Sequence, residues 1–149
     1  MILANKIDQD MKDAMRNRDK LALAVIRMVK SDILLAVKDK KEDLTDDEVI
    51  DIIGKHIKMR NDSIREFQKA NRIDLVEINK KEIEILTKYL PEQLSLEEVE
   101  TIINDIINNS ESNNLGDIMR QVVPKVKGRA DLGLINKLIN EKLNDKKAS

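Results

Sequence analysis

The chain has 149 residues, with 27 Lys and Arg against 28 Asp and Glu for a net charge of −1, and 41% of it is hydrophobic although only Phe67 and Tyr89 are aromatic. That length suits one or two small domains with a buried core, and a near-neutral balance excludes a uniformly basic polyanion binder while leaving room for a locally polarised one. The absence of Cys excludes disulfides, thiolate metal sites and thiol catalysis together, and is compatible with a reducing compartment.

An aliphatic and heavily charged composition with four Gly and two Pro suits helices, whereas sheets draw on aromatic residues and turns. The expected fold class is therefore all-α, with a helical N-terminal subdomain over 1–90 and a smaller three-helix C-terminal subdomain over 91–149. The first residues are amphipathic and soon acidic, unlike an export signal. No stretch approaches the roughly 20 apolar residues of a membrane span. The expectation is a cytoplasmic protein without membrane association.

In chain order, Leu3, Ile7, Met11, Ala14 and Met15 recur at helical spacing and predict a first helix that breaks near Asn17-Arg18-Asp19. Leu21, Ala24, Val25, Met28 and Val29 start a second, extended through Leu34 and Leu35 until Lys38 to Asp43 turn wholly charged. Thr45-Asp46-Asp47-Glu48 has the form of a capping box. It opens a third helix with an inner stripe of Val49, Ile52, Ile53, His56, Ile57, Arg60, Ile64 and Phe67. Leu75, Ile78, Glu82, Ile83, Leu86 and Leu90 set out a fourth, stopped by Pro91.

Ser95-Leu96-Glu97-Glu98 forms a second capping box and places the subdomain boundary at Tyr89 to Ser95. Val99, Ile102, Ile103, Ile106 and Ile107 mark the fifth helix, and Asn108 to Asn114 a polar loop. Ile118, Met119, Val122 and Val123 predict a short sixth helix ended by Pro124. Asp131 is expected to cap a seventh, with Leu134, Ile135, Leu138, Ile139 and Leu143 facing inward.

Candidates for catalysis are few. His56 is the single histidine and lies on an apolar stripe, so it reads as a packed or partly exposed structural residue, with no second His or Cys to complete a metal site. The acidic runs at 46–48 and 97–98 sit in first helical turns, where the helix dipole accounts for them. No phosphate-binding glycine loop of the strand-to-helix kind is present. The expectation is no catalytic residue, no metal and no cofactor.

The most informative segment is Pro124-Lys125-Val126-Lys127-Gly128-Arg129-Ala130-Asp131, with cations at alternate positions beside a glycine. It reads either as a solvated connection between helices or as a phosphate-binding turn. Charge supports the second reading: Glu92 to Leu115 carries six acidic residues and no Lys or Arg, whereas Gly116 to Ser149 carries eight basic residues against four acidic ones. So few aromatics argue against base stacking as the main mode of holding RNA. Contact is expected through phosphates and shape, with Lys125, Lys127, Arg129, Arg120 and Lys137 supplying charge, and backbone N–H groups near Gly128 or the Asp131 helix start supplying donors.

Four segments in order, Asp10-Met11-Lys12-Asp13-Ala14-Met15, Val25-Ile26-Arg27-Met28-Val29-Lys30, Tyr89-Leu90-Pro91-Glu92-Gln93-Leu94-Ser95 and Pro124 to Asp131, resemble the YqeY family. That family is similar to the tail of GatB, a component of the aspartyl/glutamyl-tRNA amidotransferase. The resemblance implies an all-helical protein and a tRNA-binding or amidotransferase-accessory role without chemistry of its own, with Lys125, Lys127, Gly128 and Arg129 as RNA contacts. One departure stands out: after Arg-Ala-Asp the family usually has Gly and then a basic residue, whereas this chain has Leu132-Gly133-Leu134. A protein-interaction adaptor for the tRNA-charging machinery is the alternative, resting on the acidic fifth helix. A glutamine-dependent carbon–nitrogen ligase ranks last, because no nucleophile with an evident base can be named.

Overall fold

The computed structural model describes residues 2–148, and all its regular elements are helices. These are α1 (Ile2–Arg16), α2 (Lys20–Lys40), α3 (Asp46–Lys69), α4 (Ile73–Thr87), α5 (Leu96–Asn109), α6 (Leu115–Val126) and α7 (Leu132–Ala148). The chain divides into two compact units, Met1–Leu90 and Pro91–Ser149.

In the N-terminal unit, α1 ends where Arg18 turns left-handed (φ 55°). Asp19 then starts α2 by accepting the Ala22 N–H on its carboxylate at 3.1 Å. The helix buries Val25, Ile26, Val29 and Ile33, not Leu34 and Leu35, which are 58% and 60% exposed. An uninterrupted helix explains the difference: Ile33 follows Val29 by four residues and stays on the core side, whereas the next two positions rotate about 100° and 200° past it. Ile78 on α4 is likewise exposed, and Val76 takes its place inside. Val49, Ile53, Leu86 and Tyr89 complete the aliphatic core with Ile7 and the α2 residues. The Tyr89 hydroxyl donates to Asp10 at 2.6 Å, and burial together with that carboxylate pushes its pKa well up.

The Thr45 capping box forms as its spacing predicts. Glu48 accepts the Thr45 N–H at 3.1 Å and also takes Lys40 Nζ at 2.6 Å, so one carboxylate joins the end of α2 to the start of α3. Its pKa falls from an ordinary 4.5 to about 2, chiefly through Lys40 and then through the Thr45 N–H. Between those values the unfolded chain binds the extra proton. The stabilisation is therefore complete above pH 4.5 and lost as pH falls through about 2. Denaturant midpoints measured across that interval should decline with acidity, and the decline should be shallower in Glu48→Gln.

In the C-terminal unit, Ser95 and Glu98 make the second capping box, and Asn114 caps α6 by accepting the Gly116 N–H at 2.8 Å. Val99, Ile103, Ile106 and Ile107 of α5 pack with Ile118, Val122 and Val126 of α6 and Ile135, Ile139 and Leu143 of α7. Leu134, expected inside, is 38% exposed. Pro124 does not end α6, which runs through it to Val126. The proline is on the exposed face, where the Arg120 carbonyl that loses its helical donor can turn to water, and full burial of Val126 carries the last turn past it.

Candidate nucleic-acid interface

Because α6 continues to Val126, the irregular part of the cationic segment shrinks to residues 127–131. Gly128 is left-handed at φ 73°, a conformation that penalises a Cβ. The Arg129 and Ala130 N–H groups both donate to the Val126 carbonyl, at 2.8 and 3.1 Å, and the Lys127 N–H donates to Val123. Asp131 Oδ1 then accepts the Gly133 N–H at 3.1 Å and caps α7. The amides of residues 127, 129, 130 and 133 are thus engaged within the fold, which narrows the expected backbone donors to the other amides near Gly128 and the start of α7.

The turn is stitched to the chain's entry into the unit. Leu94 N–H donates to the Arg129 carbonyl at 2.8 Å, Gln93 Nε2 to the Gly128 carbonyl at 2.8 Å and to the Pro91 carbonyl at 2.9 Å. Arg129 Nε donates to the Glu92 carbonyl at 3.1 Å. Residues 91–94 and 127–131, parts of two segments singled out separately in the sequence, are therefore joined within this unit.

The cations divide accordingly. Lys125 and Lys127 are exposed on either side of Val126, itself 0% exposed. Arg129 is half-buried, bonded to Glu92, and close enough to Glu98 to help hold that carboxyl below its usual range after the Ser95 hydrogen bonds. Arg120 is exposed and paired with Asp117 at 2.9 Å. Arg120 and Lys125 are five residues apart, about 140° around the helix, so α6 does not gather them on one face. Lys137 is exposed on α7, two residues from the fully buried Ile135 and Ile139.

A second cluster, in the N-terminal unit, is a network that residue spacing does not announce. His56 is 4% exposed and its Nε2 lies 2.5 Å from Asp32 Oδ2. Arg60, 6% exposed, donates from Nε to Glu82 at 2.7 Å and from Nη1 to the His56 carbonyl at 3.2 Å, with Nη1 3.4 Å from His56 Nδ1. The cluster ties α3 to α2 and α4, with His56 packed inside.

Two aliphatic-cored helical units, one carrying a turn with exposed lysines on both sides of a buried anchor, define a small all-α protein whose conspicuous chemistry is surface charge. Residues 4–143 match the family described as Yqey-like protein, and the chain belongs to the YqeY family. It is 32% identical over 145 residues to "Altered inheritance of mitochondria protein 41, mitochondrial" of Pyrenophora tritici-repentis, covering 94% of this chain and 80% of that one. Proteins of the same name from Clavispora lusitaniae and Kluyveromyces lactis are 34% and 37% identical, each over 80% of this chain and over 74% and 66% of theirs. Among the described residues, no helix is long and apolar enough to cross a membrane.

Proposed function

We propose that the protein is a non-catalytic tRNA-binding or tRNA-amidotransferase accessory module that meets the RNA backbone with its C-terminal unit. The observation that carries this reading is the pair Lys125 and Lys127, both exposed, with fully buried Val126 between them. A buried anchor fixes the backbone that carries both side chains, so their charge is held at a defined place on the unit. Membership of the YqeY family supports the same reading through the likeness of that family to the GatB tail.

Lys137 extends the contact in this proposal, while Arg120, on another face of α6, and Arg129, which holds the turn through Glu92, contribute field more than direct contact. The reading assigns the protein to the compartment where tRNA is charged, the cytoplasm; the fungal relatives carry mitochondrial names, and mitochondria charge tRNA too. Proteins of the charging or amidotransferase machinery are the proposed partners.

Titration of labelled tRNA tests it. Affinity should fall steeply with salt, and Lys125→Ala combined with Lys127→Ala and Lys137→Ala should weaken binding at least about tenfold while lowering the slope of log affinity against log salt by about 2–3. No affinity at low salt, or equal binding by the triple variant, would end the proposal. Arg129 is left intact so that loss of charge is not confused with loss of the turn.

A further inference from the structure

The acidic side of the C-terminal unit carries a groove of about 430 Å³ lined by Leu94, Glu97, Glu98, Thr101, Ile102 and Arg129. We propose that this groove is a docking site for a basic peptide segment of a partner protein, anchored by an aliphatic side chain against Leu94 and Ile102 and by Lys or Arg against the acidic rim of α5. The groove adjoins the lysine-flanked turn through Arg129, but the proposal does not depend on RNA binding.

The apolar lining is firm, because Leu94 and Ile102 are partly buried and pack on the aliphatic core of the unit. The charge around it is one-sided. Glu98, Ile102 and Asp105 follow one another at intervals of four and three residues, so they share a stripe of α5, and Glu97 with Thr101 forms the neighbouring one. Glu98 makes capping hydrogen bonds with Ser95 that favour its ionised form, and Arg129 offsets part of that charge. Glu97 and Asp105 are exposed and face no cation from their own segment, since residues 92–115 include no Lys or Arg. A polyanion is repelled from such a rim. An amphipathic basic segment satisfies both features at once: its aliphatic residue covers Leu94 and Ile102, and its cations meet Glu97 and Asp105.

Panning a randomised peptide library displayed on phage against the immobilised full-length protein tests this, followed by titration of the enriched peptides in solution. Enriched sequences should carry two or more Lys or Arg around an aliphatic residue. Their affinity should fall at least about tenfold when Glu97→Lys is combined with Asp105→Lys, and comparably with Thr101→Arg. It should be unchanged by Glu66→Lys, a charge reversal at an exposed position of α3. All of these positions are exposed, and unchanged helical circular dichroism verifies that the variants fold. Failure to enrich any peptide, enrichment of acidic or uncharged ones, or undiminished binding by both groove variants overturns the proposal. Self-association in sedimentation that the Glu97→Lys, Asp105→Lys variant abolishes also overturns it, by giving the groove to a second copy of the chain.

Discussion

Replacing Arg60 with alanine should destabilise the N-terminal unit by roughly 3–5 kcal/mol, read as a drop in its denaturant midpoint. The side chains of Arg60 and Glu82 are only 7% and 19% exposed, so removing the guanidinium strands a carboxylate that water reaches poorly. Arg60 also donates to the His56 carbonyl at 3.2 Å and approaches Met28 Sδ at 3.7 Å, and both contacts vanish with it. Breaking such a pair differs from replacing it. Arg60→Met combined with Glu82→Leu leaves no buried charge behind and should recover most of the loss. A loss below about 1 kcal/mol in Arg60→Ala, the range of exposed ion pairs, would show that Glu82 is effectively solvated.

The second large effect concerns the other core. Ile135 and Ile139 are both 0% exposed, and truncating either to alanine should cost about 2–5 kcal/mol through lost burial and the cavity left behind. The two aliphatic clusters share no residue, so that cost should fall on residues 91–148 alone. The single tyrosine makes this separable: Tyr89 belongs to the N-terminal cluster. In Ile139→Ala, the helical circular dichroism should therefore lose part of its signal at a denaturant concentration where tyrosine fluorescence has not yet moved. Ile53→Ala, in the other cluster, should shift the fluorescence transition. Coincident transitions in both variants would mean that the chain unfolds as one cooperative body.

Much of this architecture is legible in the sequence, because its signals are local. Both capping boxes are four-residue patterns whose donors and acceptors lie within one turn, and both form. The departures also have local causes. Hydrophobicity alone points Leu34 and Leu35 inward, although the period set by Val25, Val29 and Ile33 leaves them outside. Pro124 reads as a breaker by residue type, yet its exposed position and the burial of Val126 two residues later let α6 continue.

The polar clasp is half visible. Arg60 and Glu82 both stand on inner stripes, and a lone charge on each of two apolar faces hints at a mutual pair; Asp32, half-exposed on α2, gives no such sign. Least legible is the stitching of residues 91–94 to 127–131. It rests largely on carbonyl oxygens, such as those of Gly128, Arg129 and Glu92, and every residue has a carbonyl, so side-chain identity does not announce it. The candidate interface changes with it: Arg129, grouped with Lys125 and Lys127 by alternation, becomes the brace of the turn.

That stitching has a mechanical corollary. Gln93 and Leu94 follow the peptide bond that joins the two units almost at once, and they grip the carbonyls of Gly128 and Arg129 at 2.8 Å each. Tension or torsion applied along the connecting backbone therefore reaches the lysine-bearing corner before it can reach the helices between. Gln93 and Gly128, 35 positions apart in the chain, are thereby tied by a direct hydrogen bond.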